Sequence, residues 1–176
     1  MTNLSVKPSA PNIPKLRFSE FSKDYHEQEL NSLINAMRSG LSRLLSDKDI
    51  GIPVLRSNNL IDGKLKLTDI KYWYVNDPQG ANTNNYVLRE NDILVNFINS
   101  IAQIGKAIIY RGELKRNTIY TTNILRLVAN NDTSPHYLYY YFNTNYYIKY
   151  ISSITKPAVN QASFTTKDFG RLLLHI

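Results

Sequence analysis

The chain has 176 residues and carries 21 Lys and Arg against 14 Asp and Glu, a formal charge of +7, with 43% hydrophobic residues. This length suits one domain with a single core, and the positive charge suits a polyanionic partner. The absence of cysteine excludes disulfides and thiolate zinc sites, and no apolar run is long enough for a membrane span or a secretory signal, so we expect a cytoplasmic protein.

The polar, proline-containing start predicts a disordered leader over residues 1–14, with the folded domain over residues 15–176. The elements predicted after the leader are, in chain order, a helix over Glu29–Ser39 ended by Gly40 as a C-cap, a strand over Ile52–Arg56, a turn at Asp62-Gly63, strands over Ile93–Ile98, Ala107–Tyr110 and Ile119–Val128, a helix from the N-cap Ser134 and Pro135 to Asn143, a helix over Tyr146–Ile154, and a short helix within Thr165–Leu173 that leads into a strand. Together they predict one α+β domain in which helices flank a mixed or antiparallel central sheet.

The sequence lacks the common catalytic and nucleotide-binding motifs, including the P-loop and the nucleophile elbow. One alternative stays open: Asp92 with Glu113 and Lys115 resembles the acidic metal sites of magnesium-dependent nucleases, which need both carboxylates on neighbouring strands. Arg111-Gly112-Glu113 predicts a turn instead. The three histidines have no metal-ligand spacing, so we predict neither metal nor cofactor in this chain.

Tyrosine is concentrated in the second half of the chain, where seven of the 13 lie between Tyr137 and Tyr150. Aromatic side chains interleaved with basic ones can form stacking platforms for single-stranded nucleic acid. The helical spacing of Leu138, Tyr141 and Ile151 favours core packing with the hydroxyls at the edge, and that is our prediction for most of these rings.

Amide and basic side chains are concentrated in four predicted loops, and this mixture suits the reading of duplex DNA. Arg and Lys hold phosphates and bond guanine, while Asn and Gln pair with adenine in the major groove. The candidate DNA-contacting residues are Arg38, Ser39 and Arg43 in the first loop, Arg56, Asn58 and Asn59 in the second, Asn99, Gln103 and Lys106 in the third, and Lys156, Asn160, Gln161 and Ser163 in the fourth.

Several segments resemble a known family. The run from Gly51 to Leu60, followed by Asp62-Gly63-Lys64-Leu65, is similar to the central signature of type I restriction–modification specificity subunits. Weaker matches keep the same order along the chain: Pro14–Phe18 with Glu20-Phe21, Ser39–Arg43, Asp92-Ile93-Leu94, Ile104-Gly105-Lys106 and Asn160–Phe164. The chain is identified by these segments as an N-terminal target recognition domain.

The resemblance implies that the chain itself is not an enzyme. Such subunits carry two recognition domains separated by long helices, and each domain reads one half of a bipartite DNA site. The helices dock methylation subunits, which use S-adenosylmethionine on adenine, and restriction subunits join for cleavage, so S-adenosylmethionine, ATP and magnesium belong to the partners. Because no heptad helix follows Thr165–Leu173, we expect this chain to lack the spacer helix.

Two departures from the family pattern affect loops. Asn91 stands where a glycine commonly precedes the Asp-Ile-Leu element, and asparagine also tolerates a left-handed backbone. Lys156-Pro157-Ala158 stands where the family often has glycine, so the conformation of the fourth loop is open. A protein–protein adaptor or half-subunit, whose basic surface serves another role, is the remaining alternative.

Overall fold

The computed structural model describes residues 26–159 and 161–176. The strands are β1 (Glu27–Glu29), β2 (Ile34–Ser39), β3 (Ile52–Leu55), β4 (Leu60–Ile61), β5 (Lys64–Leu65), β6 (Lys71–Trp73), β7 (Ile93–Asn96), β8 (Ile98–Asn99), β9 (Ala107–Ile109), β10 (Ile119–Tyr120), β11 (Ile124–Ala129), β12 (Lys156–Pro157), β13 (Ala162–Ser163) and β14 (Leu173–His175). The helices are α1 (Pro135–Tyr141), α2 (Asn145–Ile154) and α3 (Thr166–Gly170), and 3-10 turns cover Leu30–Ser32, Ser57–Asn59 and Thr83–Tyr86. The predicted α+β class is confirmed.

A four-stranded antiparallel sheet in the order β2-β11-β7-β9 forms the centre of the fold. Successive side chains of a strand point to opposite faces, and both faces of β7 are buried. Ile93 and Val95 face the helices, whereas Leu94 packs with Ile108 on the other side. The sheet therefore separates two apolar cores.

The helices cover the first face of this sheet with aromatic side chains. Phe142 stacks on Tyr147 with ring centroids 4.7 Å apart, and Phe169 packs at 5.8 Å from Phe142. All three rings are almost fully buried, and burial of one such side chain contributes about 2–3 kcal/mol. This cluster ties α2 and α3 to the sheet.

The second face carries a smaller three-stranded sheet, ordered β10-β3-β6, and the β4–β5 hairpin. β3 is buried along its whole length, as expected for an apolar run between two neighbours, and it pairs in parallel with β10. Asp62 and Gly63 form the hairpin turn with φ angles of 51° and 70°, a conformation that Asp-Gly favours. The predicted strand over Ile52–Arg56 and the predicted turn are both confirmed.

The predicted helix over Glu29–Ser39 is wrong. Leu30 and Leu33 are buried by the 3-10 turn, and the chain then extends as β2, where Met37 lies opposite Leu127 of β11. A 3-10 turn followed by a strand places apolar side chains at the same sequence intervals as a helical face. Pairing with β11 decides the outcome, because tertiary contacts override local propensity.

Most later elements agree with the sequence, but the predicted strand over Ile119–Val128 is two strands, β10 and β11, in different sheets. The Ser134 hydroxyl caps α1 by accepting from the Tyr137 amide, with Pro135 at the first helical position. Asn91 has a φ of 70°, so it takes the left-handed backbone that its sequence context predicted. The predicted leader over residues 1–14 lies outside the described residues. No described helix is long and apolar enough to cross a membrane.

Candidate nucleic-acid interface

The four predicted loops meet at one end of the central sheet, around residues 121–123. The Leu41 amide of the first loop donates to the Tyr120 carbonyl at 2.8 Å, and the Thr121 amide donates to the carbonyl of Leu55, the residue before the second loop, at 2.9 Å. The Phe97 amide donates to the Asn123 carbonyl at 3.2 Å, which brings in the third loop. Residues distant in sequence thus share one surface.

The fourth loop joins this surface by strand pairing. β13 pairs with β8, which places Ala162 beside Asn99 and Ser163 beside Ile98. β12 pairs with β13, so Lys156 lies opposite Ser163. The segment that the sequence predicted as a loop is therefore a short hairpin added to the third loop.

Gly40 allows the first loop to approach this close. A Cβ built on Gly40 would lie 2.0 Å from the Tyr120 carbonyl oxygen, well inside any allowed contact. The prediction that Gly40 ends a helix as a C-cap is wrong. The glycine is required by close packing of two backbone segments.

Asn59 has a structural role. Its side chain is 1% exposed, and its amide oxygen accepts from the Arg56 amide at 2.9 Å. Its amide nitrogen donates to the carbonyls of Lys66 at 3.0 Å and Thr68 at 3.2 Å. Both polar atoms of this side chain are hydrogen-bonded inside the domain, so Asn59 stabilises the fold and is buried away from a DNA ligand.

Arg43 forms an ion pair that the sequence did not reveal. Its guanidinium reaches the fully buried Asp77 carboxylate at 2.5 Å, and that carboxylate also accepts from the Trp73 indole and from the Ala81 amide. Arg43 holds the pKa of the Asp77 carboxyl well below its usual range. Asp77 also bonds the Gln79 amide, an Asx turn that the Asp77-Pro78 sequence could have indicated.

Arg56 is also held by an acid. Its Nη2 donates to the Asp69 carboxylate at 2.6 Å and to the Asp69 carbonyl at 2.7 Å. Lys71 shares the same carboxylate at 3.0 Å. A DNA phosphate would therefore compete with Asp69 for Arg56. Asn58, two residues further along the same loop, is exposed.

Two candidates of the third loop bond to the β4–β5 turn. Lys106 Nζ lies 2.5 Å from Asp62 Oδ1, and Gln103 Nε2 lies 3.2 Å from the same atom. The Asn99 side-chain oxygen accepts from the Ser100 amide at 2.7 Å. The third loop is therefore ordered by its own polar side chains before it meets any partner.

Three basic side chains at this end form no ion pair within the described residues. Arg38 lies over the Tyr86 ring at 4.7 Å from its centroid, and Lys156 is exposed on β12. Lys64, next to the Asp62-Gly63 turn, is also exposed and was not among the predicted contacts. Of the remaining candidates, Gln161 is exposed, Ser39 and Ser163 are half-buried, and Asn160 lies outside the described residues.

The residues of the nuclease alternative have other partners. Asp92 is 3% exposed, pairs with Arg126 Nε at 2.7 Å and accepts from the Arg89 amide at 2.7 Å. Burial raises the pKa of its carboxyl despite that pairing. Glu113 accepts from the Arg111 amide in a turn. Within residues 26–159 and 161–176, no group of three or more acidic, histidine or cysteine side chains could hold a metal ion.

Most of the tyrosines serve the core. Tyr147 is buried and donates to the Gly105 carbonyl at 2.6 Å, and Tyr137, Tyr141 and Tyr150 pack against the same apolar cluster. Tyr140 and Tyr146 are exposed on the helical side. The core-packing prediction is confirmed for four of the seven rings.

Comparison with solved structures assigns the fold. The type I restriction–modification S subunit from M. genitalium matches with a TM-score of 0.59 at 12% identity, over 93% of this chain and 37% of that one. A type I system structure concerned with complex assembly and conformational transition matches with a TM-score of 0.60 at 16% identity, over 86% of this chain and 34% of that one. The fold is that of one domain of such subunits.

Sequence comparison agrees. The putative MjaX specificity subunit of Methanocaldococcus jannaschii is 34% identical over 165 residues, which are 92% of this chain and 37% of that protein. No established protein-family profile matches the chain. The chain is related through this one domain to the type I restriction enzyme specificity subunits, and it spans about a third of their length.

Proposed function

We propose that this domain recognises duplex DNA in a sequence-specific way and reads one half of a bipartite site. The observation that carries the proposal is the convergence of four polar loops, distant in sequence, at one end of the sheet. Arg38 and Lys156 there can hold phosphates, and Asn58, Asn99 and Gln161 are suited to base edges.

The role is one of binding without catalysis. The relation to specificity subunits supports a part in a type I complex in the cytoplasm, in which this domain would direct methylation and restriction subunits to their site. S-adenosylmethionine, ATP and magnesium would then act in those partners. A single domain without a second recognition domain would bind weakly, with the phosphate contacts as its main source of affinity.

Fluorescence anisotropy with a random-sequence duplex, at KCl from about 50 to about 200 mM, tests the duplex-binding part of this proposal. We expect affinity to fall steeply with salt, because phosphate contacts release counterions. Arg38→Gln and Lys156→Gln should each reduce the slope of log K against log[KCl] by about 1.

Arg111→Gln is the matched control. Arg111 is exposed and follows β9, at the opposite end of the sheet from the loops. The Arg111→Gln variant loses the same charge as Arg38→Gln. Because Arg111 lies away from the loops, the salt slope of this variant should equal that of the unmodified chain. Affinity that does not change with salt, or an equal effect of Arg111→Gln, would contradict the proposal.

A further inference from the structure

The β4–β5 hairpin lies beside the proposed DNA-contacting loops, although the sequence did not assign it to them. A cavity of about 700 Å³ is bordered by Asp62 and Gly63 of the hairpin, by Ile101 of the third loop and by Pro157 of the fourth. The Asn96 amide nitrogen donates to the Leu60 carbonyl at 2.9 Å and fixes the hairpin to the central sheet.

Asp62 at the tip of this hairpin binds two of the candidate DNA contacts. Lys106 Nζ is 2.5 Å from Asp62 Oδ1, and the Gln103 side chain both donates to that oxygen and accepts from the Asp62 amide at 3.3 Å. Both polar atoms of the Gln103 amide are thereby engaged. The Asp62 side chain is 66% exposed and that of Lys106 is 40% exposed, so this network lies at the surface.

The Asp62 carboxylate lies in the surface proposed to bind phosphates, and its negative charge weakens that binding. Lys106 Nζ has three N–H donors and can bond Asp62 and a phosphate together, but the Asp62 carboxylate offsets its charge. A phosphate therefore gains less from the paired Lys106 than from a free lysine. The negative charge of Asp62 also opposes the approach of the duplex. Both effects weaken the charge-driven binding that does not depend on sequence.

We propose that Asp62 is a positioning residue of the DNA interface: it restrains Lys106 and Gln103 and so suppresses binding to duplex of arbitrary sequence. This inference rests on the proposed function. Asp62 then orients the Gln103 amide before DNA arrives, and this amide keeps one N–H and one lone pair for a base edge. Lys106 contributes its full charge to phosphate binding only when Asp62 releases it.

Asp62→Asn tests this inference in the full chain. Asparagine tolerates the left-handed backbone at Asp62, and Asn-Gly is a favoured hairpin turn, so the variant should keep the fold. Affinity for a random-sequence duplex should rise about threefold, and the salt slope should steepen by about 1. Lys106→Gln in the same chain should remove both gains.

Asp49→Asn is the matched control, because Asp49 pairs with Arg116 in the same way and precedes β3, away from the loops. It should change the salt slope much less than Asp62→Asn does. Equal effects of the two substitutions, with the unmodified chain still binding, would overturn this inference and leave the proposed function standing. Absence of binding by the unmodified chain at low salt would overturn both.

Discussion

Asn59 fixes the turn that follows β3: its side chain accepts from the Arg56 amide and donates to the Lys66 and Thr68 carbonyls. The sequence offers adjacent Asn58 and Asn59 as equivalent candidates, since each amide could read adenine. Their difference lies in burial: the Asn59 side chain points inward to the Lys66 and Thr68 carbonyls, whereas Asn58 is exposed. In the same way, the sequence does not show that three of the basic candidates are paired with aspartates. The pairs are Arg43 with Asp77, Arg56 with Asp69 and Lys106 with Asp62.

Asn59→Ala should therefore destabilise the domain. The substitution removes three hydrogen bonds and leaves the Lys66 and Thr68 carbonyls without a donor, which costs about 3 kcal/mol of unfolding free energy. Asn58→Ala, at the exposed neighbour, should change that free energy by less than about 0.5 kcal/mol. Urea denaturation of both variants measures this, and equal stabilities would refute the structural role of Asn59.

At the scale of elements, the sequence predicts what local chemistry determines. The α1 cap at Ser134, the Asp62-Gly63 turn and the buried strand β3 depend on neighbouring residues and were predictable. β2 was not, because its strand state depends on β11, about 90 residues later in the chain. The short β12–β13 hairpin depends in the same way on its distant partner β8.

Gly40→Ala tests the close approach of the first loop to the Tyr120 backbone, which joins that loop to the rest of the site. The new methyl group would press on the Tyr120 carbonyl, so we expect a loss of about 2 kcal/mol or more in stability. Gly80→Ala is the contrasting control: its Cβ would meet nothing within 4 Å, and its positive φ alone should cost about 1 kcal/mol. Thermal unfolding that ranks Gly80→Ala as the more damaging change would contradict the close approach.

At the scale of the whole molecule, net charge alone does not locate the interface. Among the described residues, six basic side chains form ion pairs with aspartates: Arg43, Arg56, Lys71, Lys106, Arg116 and Arg126. The formal charge of +7 therefore does not indicate where phosphates would bind. The topology brings the four candidate loops together, since an antiparallel sheet collects alternate connections at the same end.

Amide hydrogen exchange with and without a random-sequence duplex tests which end of the sheet binds DNA. At low salt we expect added protection in residues 41–45, 56–59, 99–106, 121–123 and 161–163, because bound DNA excludes water from the end where the loops meet. The Gly112–Lys115 turn lies beyond the opposite end of β9 and serves as the internal reference. Protection confined to that turn would place the DNA at the other end of the sheet, and the four loops would then need a different partner.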